Sequence, residues 1–154
     1  FSANQKLRNL EFVFDVMGFM QQLQRASRQE EFKVIPNTLA MAKQPSHEPR
    51  AIITALPPYK IVFVNPAWCV MSGYDSEEIL GRDFDFMKGP ATDLSEISAY
   101  ENSLRNFHCS SFEAINYTKE GMPFLNQTFS YPIFVEGRVV NFLNVSSALA
   151  IMLN

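Results

Sequence analysis

Residues 111–147, SFEAINYTKEGMPFLNQTFSYPIFVEGRVVNFLNVSS, decide the fold. The stretch holds three runs rich in aromatic and β-branched residues, at 111–117, 123–134 and 138–147, parted by Glu120-Gly121 and Glu136-Gly137. Such residues suit a pleated, half-buried surface, and a glycine after a polar residue allows the tight turn of a hairpin. Three successive antiparallel strands are expected.

Upstream, 51–55 and 60–64 read as two further short strands joined by a turn at Pro57 and Pro58. Between the two strand groups the signals are helical. Asn65 can cap a helix with Pro66 at its first position, and Gly73 closes it about two turns later. Asp75 with Glu78 forms a capping box for a short helix over 76–80, ended by Gly81. Residues 83–91 read as irregular, and Thr92 or Asp93 caps a longer helix to about Asn106, with Ile97, Tyr100, Leu104 and Phe107 as its buried stripe. The order of elements predicts an α+β fold: a five-stranded antiparallel sheet with short helices on one face.

Further out, Leu7, Leu10, Phe14, Met17, Met20 and Leu23 recur at helical intervals, and Phe12, Val13, Val16 and Phe19 fall off that stripe. A helix over 5–28, apolar around most of its girth, is expected to bury two faces, one of them against a second copy of the chain. Residues 27–50, with Pro36, Pro45 and Pro49, form a connector containing one or two helical turns at 38–42. The expected division is therefore an N-terminal helix and connector at 1–50, serving dimerisation or packing, and a domain at 51–149.

The motifs Asn65-Pro66-Ala67, Ser72-Gly73-Tyr74, 77–82 (EEILGR), Gly89-Pro90 and Thr92-Asp93, continued by Asn116-Tyr117, Lys119-Glu120-Gly121, Phe124-Leu125-Asn126 and Tyr131-Pro132-Ile133, resemble PAS domains of the light-oxygen-voltage (LOV) subfamily over about 51–147. The resemblance implies a PAS fold and a sensory or regulatory role inside a larger protein. In photoactive members a loop of the type Gly-x-Asn-Cys-Arg-Phe-Leu-Gln carries the thiol that bonds to excited flavin; here 81–88 read GRDFDFMK, with Phe84 at the thiol position. A phenyl ring forms no sulfur adduct. The two arginines that grip the flavin phosphate are matched by Asp85 and Glu101. Each carboxylate about 5 Å from a phosphate charge, at an effective dielectric near 20, costs on the order of 3 kcal/mol. Asn116 and Asn126 match the amides that contact the flavin's pyrimidine edge, whereas Ser146 and Lys88 replace two glutamines. The implied cofactor status is none, with flavin disfavoured. Phe84, Phe86 and Met87 are expected to fill the old pocket; a non-covalent flavin or other planar ligand held by Asn116 and Asn126 is the alternative, and ordinary bonding of those amides to neighbouring backbone weighs equally.

Composition narrows the remaining classes. With 47% hydrophobic and 19% charged residues the chain can bury a core, and a formal net charge of -3 offers nothing to nucleic acid or an acidic membrane. Cys69 and Cys109 are too few for a disulfide framework, which suits a reducing, intracellular setting; no apolar run spans a membrane. His47 and His108 have no partners at metal-ligand spacing, and no catalytic constellation is present, so no enzymatic activity is expected. The expected partners are a second copy, through the N-terminal helix and the sheet face, and an effector domain such as a kinase or a transcription factor's DNA-binding region, the latter implying the nucleus.

Overall fold

The computed structural model describes residues 34–150, which excludes the helix expected over 5–28. The connector contributes one turn, α1 (Leu39–Ala42), capped by the Thr38 hydroxyl. Strands β1 (Arg50–Thr54) and β2 (Ile61–Val64) form the expected antiparallel hairpin. Then come α2 (Pro66–Ser72), α3 (Ser76–Ile79), a 3-10 turn at Phe84–Met87 and α4 (Leu94–Arg105). Strands β3 (Ser110–Tyr117), β4 (Pro123–Val135) and β5 (Arg138–Ala150) close the chain's antiparallel sheet in the spatial order β2-β1-β5-β4-β3. The α+β architecture read from the sequence is the one observed.

Local chemistry accounts for the helix ends. The Asn65 Oδ1 atom accepts from the Trp68 backbone N–H at 3.0 Å and from Arg50 N–H at 2.8 Å, while its amide donates to the Glu48 carbonyl at 2.8 Å. One side chain thus caps α2 and ties it to β1. Gly73, at φ 79, ends α2 in the left-handed region that glycine adopts without strain. Glu78 reaches back to the Asp75 N–H at 2.9 Å, completing the capping box at α3. Asp93 caps α4 through the Ser95 and Glu96 amides, whereas Thr92 is buried and bonds the Ile115 carbonyl at 2.6 Å.

Two apolar clusters sandwich the sheet. The larger, on the helical side, joins Ile53, Ile61, Trp68, Ile79, Met87, Leu104 and Phe142; the smaller places Ala42 of α1 against Ile52, Ile133 and Leu143. Two local expectations need correction. Phe107 is not part of the buried stripe of α4: the helix stops at Arg105, and Phe107 turns to φ 57 and is 42% exposed. The span 83–91 is not wholly irregular, because Asp83 accepts from the Asp85 N–H at 3.0 Å and nucleates the 3-10 turn.

Candidate functional site

Strand β4 presents Asn126, Thr128 and Ser130 to the helical side, all buried, and β3 presents Asn116 beside them. Register makes neighbours of these residues: Thr128 pairs with Ser146 and Ser130 with Asn144 across β4 and β5, and Asn116 lies diagonal to Asn126 across β3 and β4. A buried polar side chain must find a partner or cost roughly 1–3 kcal/mol, so the arrangement of bonds decides what the interior is for.

The bonds form a closed chain. The Asn116 amide donates to the Met87 carbonyl at 3.2 Å, the Asn126 amide to Asn116 Oδ1 at 2.8 Å, and the Thr128 hydroxyl to Asn126 Oδ1 at 2.9 Å. Since Thr128 has one proton and spends it on Asn126, the 2.7 Å contact with Ser146 has Ser146 as donor. The structure therefore brings Asn116 and Asn126 together, each satisfied by the protein itself. A second chain runs from Tyr100 on α4, whose hydroxyl lies 2.7 Å from Ser130 Oγ, to Asn144 Oδ1, which accepts from Ser130 at 2.6 Å. Burial pushes the Tyr100 hydroxyl up to about 12, against the lowering effect of its bonds to Ser130 and Asn144. Tyr100 was expected only as part of the buried stripe of its helix, and Thr128, Ser130 and Asn144 were not singled out by sequence; the signal available was the polar run Asn126-Gln127-Thr128, with Ser130 beyond it, inside a strand otherwise rich in large apolar residues.

Two cavities flank these chains. The inner one, lined by Trp68, Met87, Asn126, Thr128, Asn144 and Ser146, holds about 20 Å³. That is room for about one water. The outer one, about 400 Å³, reaches Tyr59, Asn116, Tyr100 and the charged rim of Asp83, Asp85, Lys88, Glu101 and Arg105. Phe84 and Phe112 line both cavities and form the partition between them. The Phe84 ring is held at 6.1 Å from Trp68 and 6.5 Å from Phe86, and Phe86 packs on Tyr74 at 4.8 Å. Met87 is 2% exposed.

At the rim the charges are not as bare as the sequence implied. The Lys88 ammonium lies 2.6 Å from Asp85, so that carboxylate already has its counter-ion. Among the described residues Glu101 has no ion pair or hydrogen bond, and Arg105 donates to Asn102 at 2.9 Å. Neither thiol is activated. Burial raises Cys69, with the Asp75 charge adding to it, and burial raises Cys109, so both stay protonated. No cluster of metal-ligating side chains occurs among the described residues, and none of their helices is long and apolar enough to cross a membrane.

The space beside Asn126 and Ser146, about 20 Å³, is too small for a tricyclic ring, which needs a cavity of the few-hundred-Å³ class; the cavity of that size lies beyond Phe84 and is lined by Asn116, Asp85 and Glu101. The rim offers three carboxylates against two cations, already engaged with Asp85 and Asn102.

Comparison with known proteins bears on the same residues. The PAS domain family matches residues 49–147. A blue-light-activated histidine kinase of Brucella ovis is 34% identical over 99 residues, 64% of this chain and 20% of the kinase, so the chain spans only a fifth of that relative's length. Among solved structures, a light-oxygen-voltage domain studied with a flavin analogue shares 29% identity at a TM-score of 0.62, covering 73% of this chain and 82% of its own. The light-state LOV domain of the photoreceptor Aureochrome1 gives 28% identity and a TM-score of 0.63, covering 73% and 90%. The LOV domain of the Erythrobacter litoralis EL346 kinase, at 20% identity, a TM-score of 0.65 and coverage of 69% and 99%, shares the fold.

Proposed function

The chain belongs to the PAS domain family, in its light-oxygen-voltage subfamily, and from that premise we propose that it is a non-catalytic regulatory module that dimerises and signals within a larger protein, without flavin photochemistry. Sensory signalling is the role carried by the blue-light-activated relatives. The observation that carries the finer reading is the closed interior: Phe84 stands at the loop position of the adduct-forming thiol, and the Asn116-Asn126-Thr128-Ser146 chain satisfies itself where a flavin edge would be read. Asn116 and Asn126 are, on this reading, vestigial ligand contacts turned into a core network.

The output is assigned to assembly. Residues 51–149 act as the domain, and 1–50 supply a helix and connector that pair with a second copy together with the outer sheet face, where Ile115, Leu125 and Val145 are half-buried and Leu149 is 50% exposed. Arg50 supports the connector's part in this, since its guanidinium donates to the Met41 and Ala42 carbonyls at 3.4 Å and ties α1 to β1. An effector domain elsewhere in the protein, a kinase or a DNA-binding region, receives the signal.

Two experiments test the two halves. Light scattering across concentrations on the full chain, and on a chain lacking residues 1–28, should show a dimer that weakens on truncation; a full chain that stays monomeric contradicts the assembly role. A visible spectrum of the purified chain, before and after blue illumination, should lack flavin bands and show no light-induced loss of absorbance near the flavin maximum.

A further inference from the structure

The open sheet has two edges, β2 and β3, and an unpaired edge is a template on which another strand can add. The β2 edge is closed by backbone: Ile61 donates to the Arg82 carbonyl and accepts from the Gly81 N–H, both at 2.8 Å. The β3 edge is closed differently. In an antiparallel ladder alternate residues turn their polar groups to the same side, so Ser111, Glu113, Ile115 and Tyr117 face away from β4. Among the described residues no strand lies there, and side chains at the start of α4 stand in for one. The Thr92 hydroxyl donates to the Ile115 carbonyl at 2.6 Å, and the Glu96 carboxylate accepts from the Glu113 N–H at 3.3 Å. Beyond them the Tyr117 hydroxyl accepts from the Ala91 N–H at 3.0 Å, and Thr92 is itself held by the Gly89 N–H at 3.0 Å.

We propose that residues 89–96 are an edge guard that holds β3 closed to strand addition, and that the strand they exclude is β3 of a second copy. The register argues for that occupant. Two β3 edges meeting antiparallel about a two-fold axis align Glu113 of each copy opposite Ile115 of the other, so each Glu113 N–H meets an Ile115 carbonyl. Those are the two groups that Glu96 and Thr92 occupy. The same register sets Ala114 opposite its own counterpart and keeps the two Glu113 carboxylates apart, whereas a shift of two residues would bring like charges face to face. Strand β3, Ser110–Tyr117, is long enough to carry such a pairing once it is uncovered. The guard acts on an edge, apart from the helix and outer face assigned to the dimer, and it operates whether or not that dimer forms.

The test uses the full chain, with assembly followed by light scattering across concentrations and folding by circular dichroism. Thr92→Val with Glu96→Ala removes both side-chain partners of the edge, and this released chain should form species larger than any the unmodified chain forms at about tenfold higher concentration. Glu96→Gln, which keeps a carbonyl acceptor for the Glu113 N–H, should behave as the unmodified chain. Glu113→Pro, added to the released chain, deletes the outward N–H without touching the ladder to β4 and should abolish the added association. Aggregation through unfolding would not be rescued in this way. Should the double change not fold, Glu96→Ala alone carries the test: amide exchange at Glu113 quickens, and the growth in size is again blocked by Glu113→Pro. A folded released chain with the assembly state of the unmodified one, larger species that survive Glu113→Pro, or unchanged Glu113 exchange in Glu96→Ala overturns the proposal. A monomeric unmodified chain contradicts the dimer instead and leaves these comparisons intact, so the two failures are distinguishable.

Discussion

Removing Asn126 is the perturbation that separates a self-satisfied core network from a pair of amides held ready for a ligand. In the structure the Asn126 side chain donates to Asn116 Oδ1 at 2.8 Å and accepts from Thr128 at 2.9 Å, at 4% exposure. Asn126→Ala leaves one acceptor and one hydroxyl proton unpaired. At roughly 1–3 kcal/mol per orphaned group, less what a water entering the enlarged inner cavity restores, the loss is about 3 kcal/mol. Asn116→Ala orphans the Asn126 amide and the Met87 carbonyl, for a loss of similar size. The double variant breaks their shared bond only once, so it should be more stable than the sum of the two losses implies by about 1–2 kcal/mol. Urea unfolding of the four chains, with matching m-values, measures this coupling. Thr128→Val, which keeps the shape and removes the links to Asn126 and Ser146 while leaving the bond between Asn116 and Asn126, serves as a second probe should Asn126→Ala unfold. Additivity within about 0.5 kcal/mol, or an Asn126→Ala loss under about 1 kcal/mol, would refute the network.

Other consequences are equally accessible. Tyr100, pushed up to about 12 by burial, is neutral in the fold while an unfolded tyrosine ionises near pH 10, so its contribution is complete below about pH 10 and is lost as pH rises through about 12. Unfolding followed against alkaline pH should show a loss on the order of 2–3 kcal/mol that Tyr100→Phe removes from the pH profile. Asn65→Ala deletes a cap and the link to Arg50 and Glu48, and should lower unfolding free energy by about 2–4 kcal/mol in the same urea assay. Gly89→Ala places a Cβ 2.2 Å from the Tyr117 ring, whose hydroxyl accepts the Ala91 N–H at 3.0 Å; a shift of that ring should cost about 1–3 kcal/mol and lower the thermal midpoint.

The fold was legible because its punctuation is local: Asn65-Pro66 and Gly73 bracket α2, and the Glu136-Gly137 turn fixes where β4 returns as β5. What resisted reading depended on which side of the sheet is inside. Along β4 the large residues Leu125, Phe129 and Tyr131 lie on the outer face, and Asn126, Thr128 and Ser130 are buried, the reverse of the usual alternation. Periodicity reports that the two faces differ and not which one the helices cover. Asn116 and Asn126 were found through resemblance to motifs, whereas Thr128, Ser130 and Asn144 have no motif and become partners only through register. The counter-ion of Asp85 was within reach, since Lys88 follows at i+3 in a tight turn, but that spacing closes an ion pair only if the turn forms. Tyr59 carried no signal at all. It is buried and sits at φ 54 at the end of the Pro57-Pro58 turn, a conformation that the sequence does not announce.

The central claim, a LOV-type PAS domain whose interior has closed on itself, is tested most directly by titrating the full, unsubstituted chain into riboflavin and into flavin mononucleotide while following flavin fluorescence and visible absorption. No saturable quenching or band structure is expected with either flavin at micromolar concentrations. Stoichiometric uptake of either flavin, with the resolved visible bands of an enclosed ring, would contradict it and return Asn116 and Asn126 to the role of working ligand contacts.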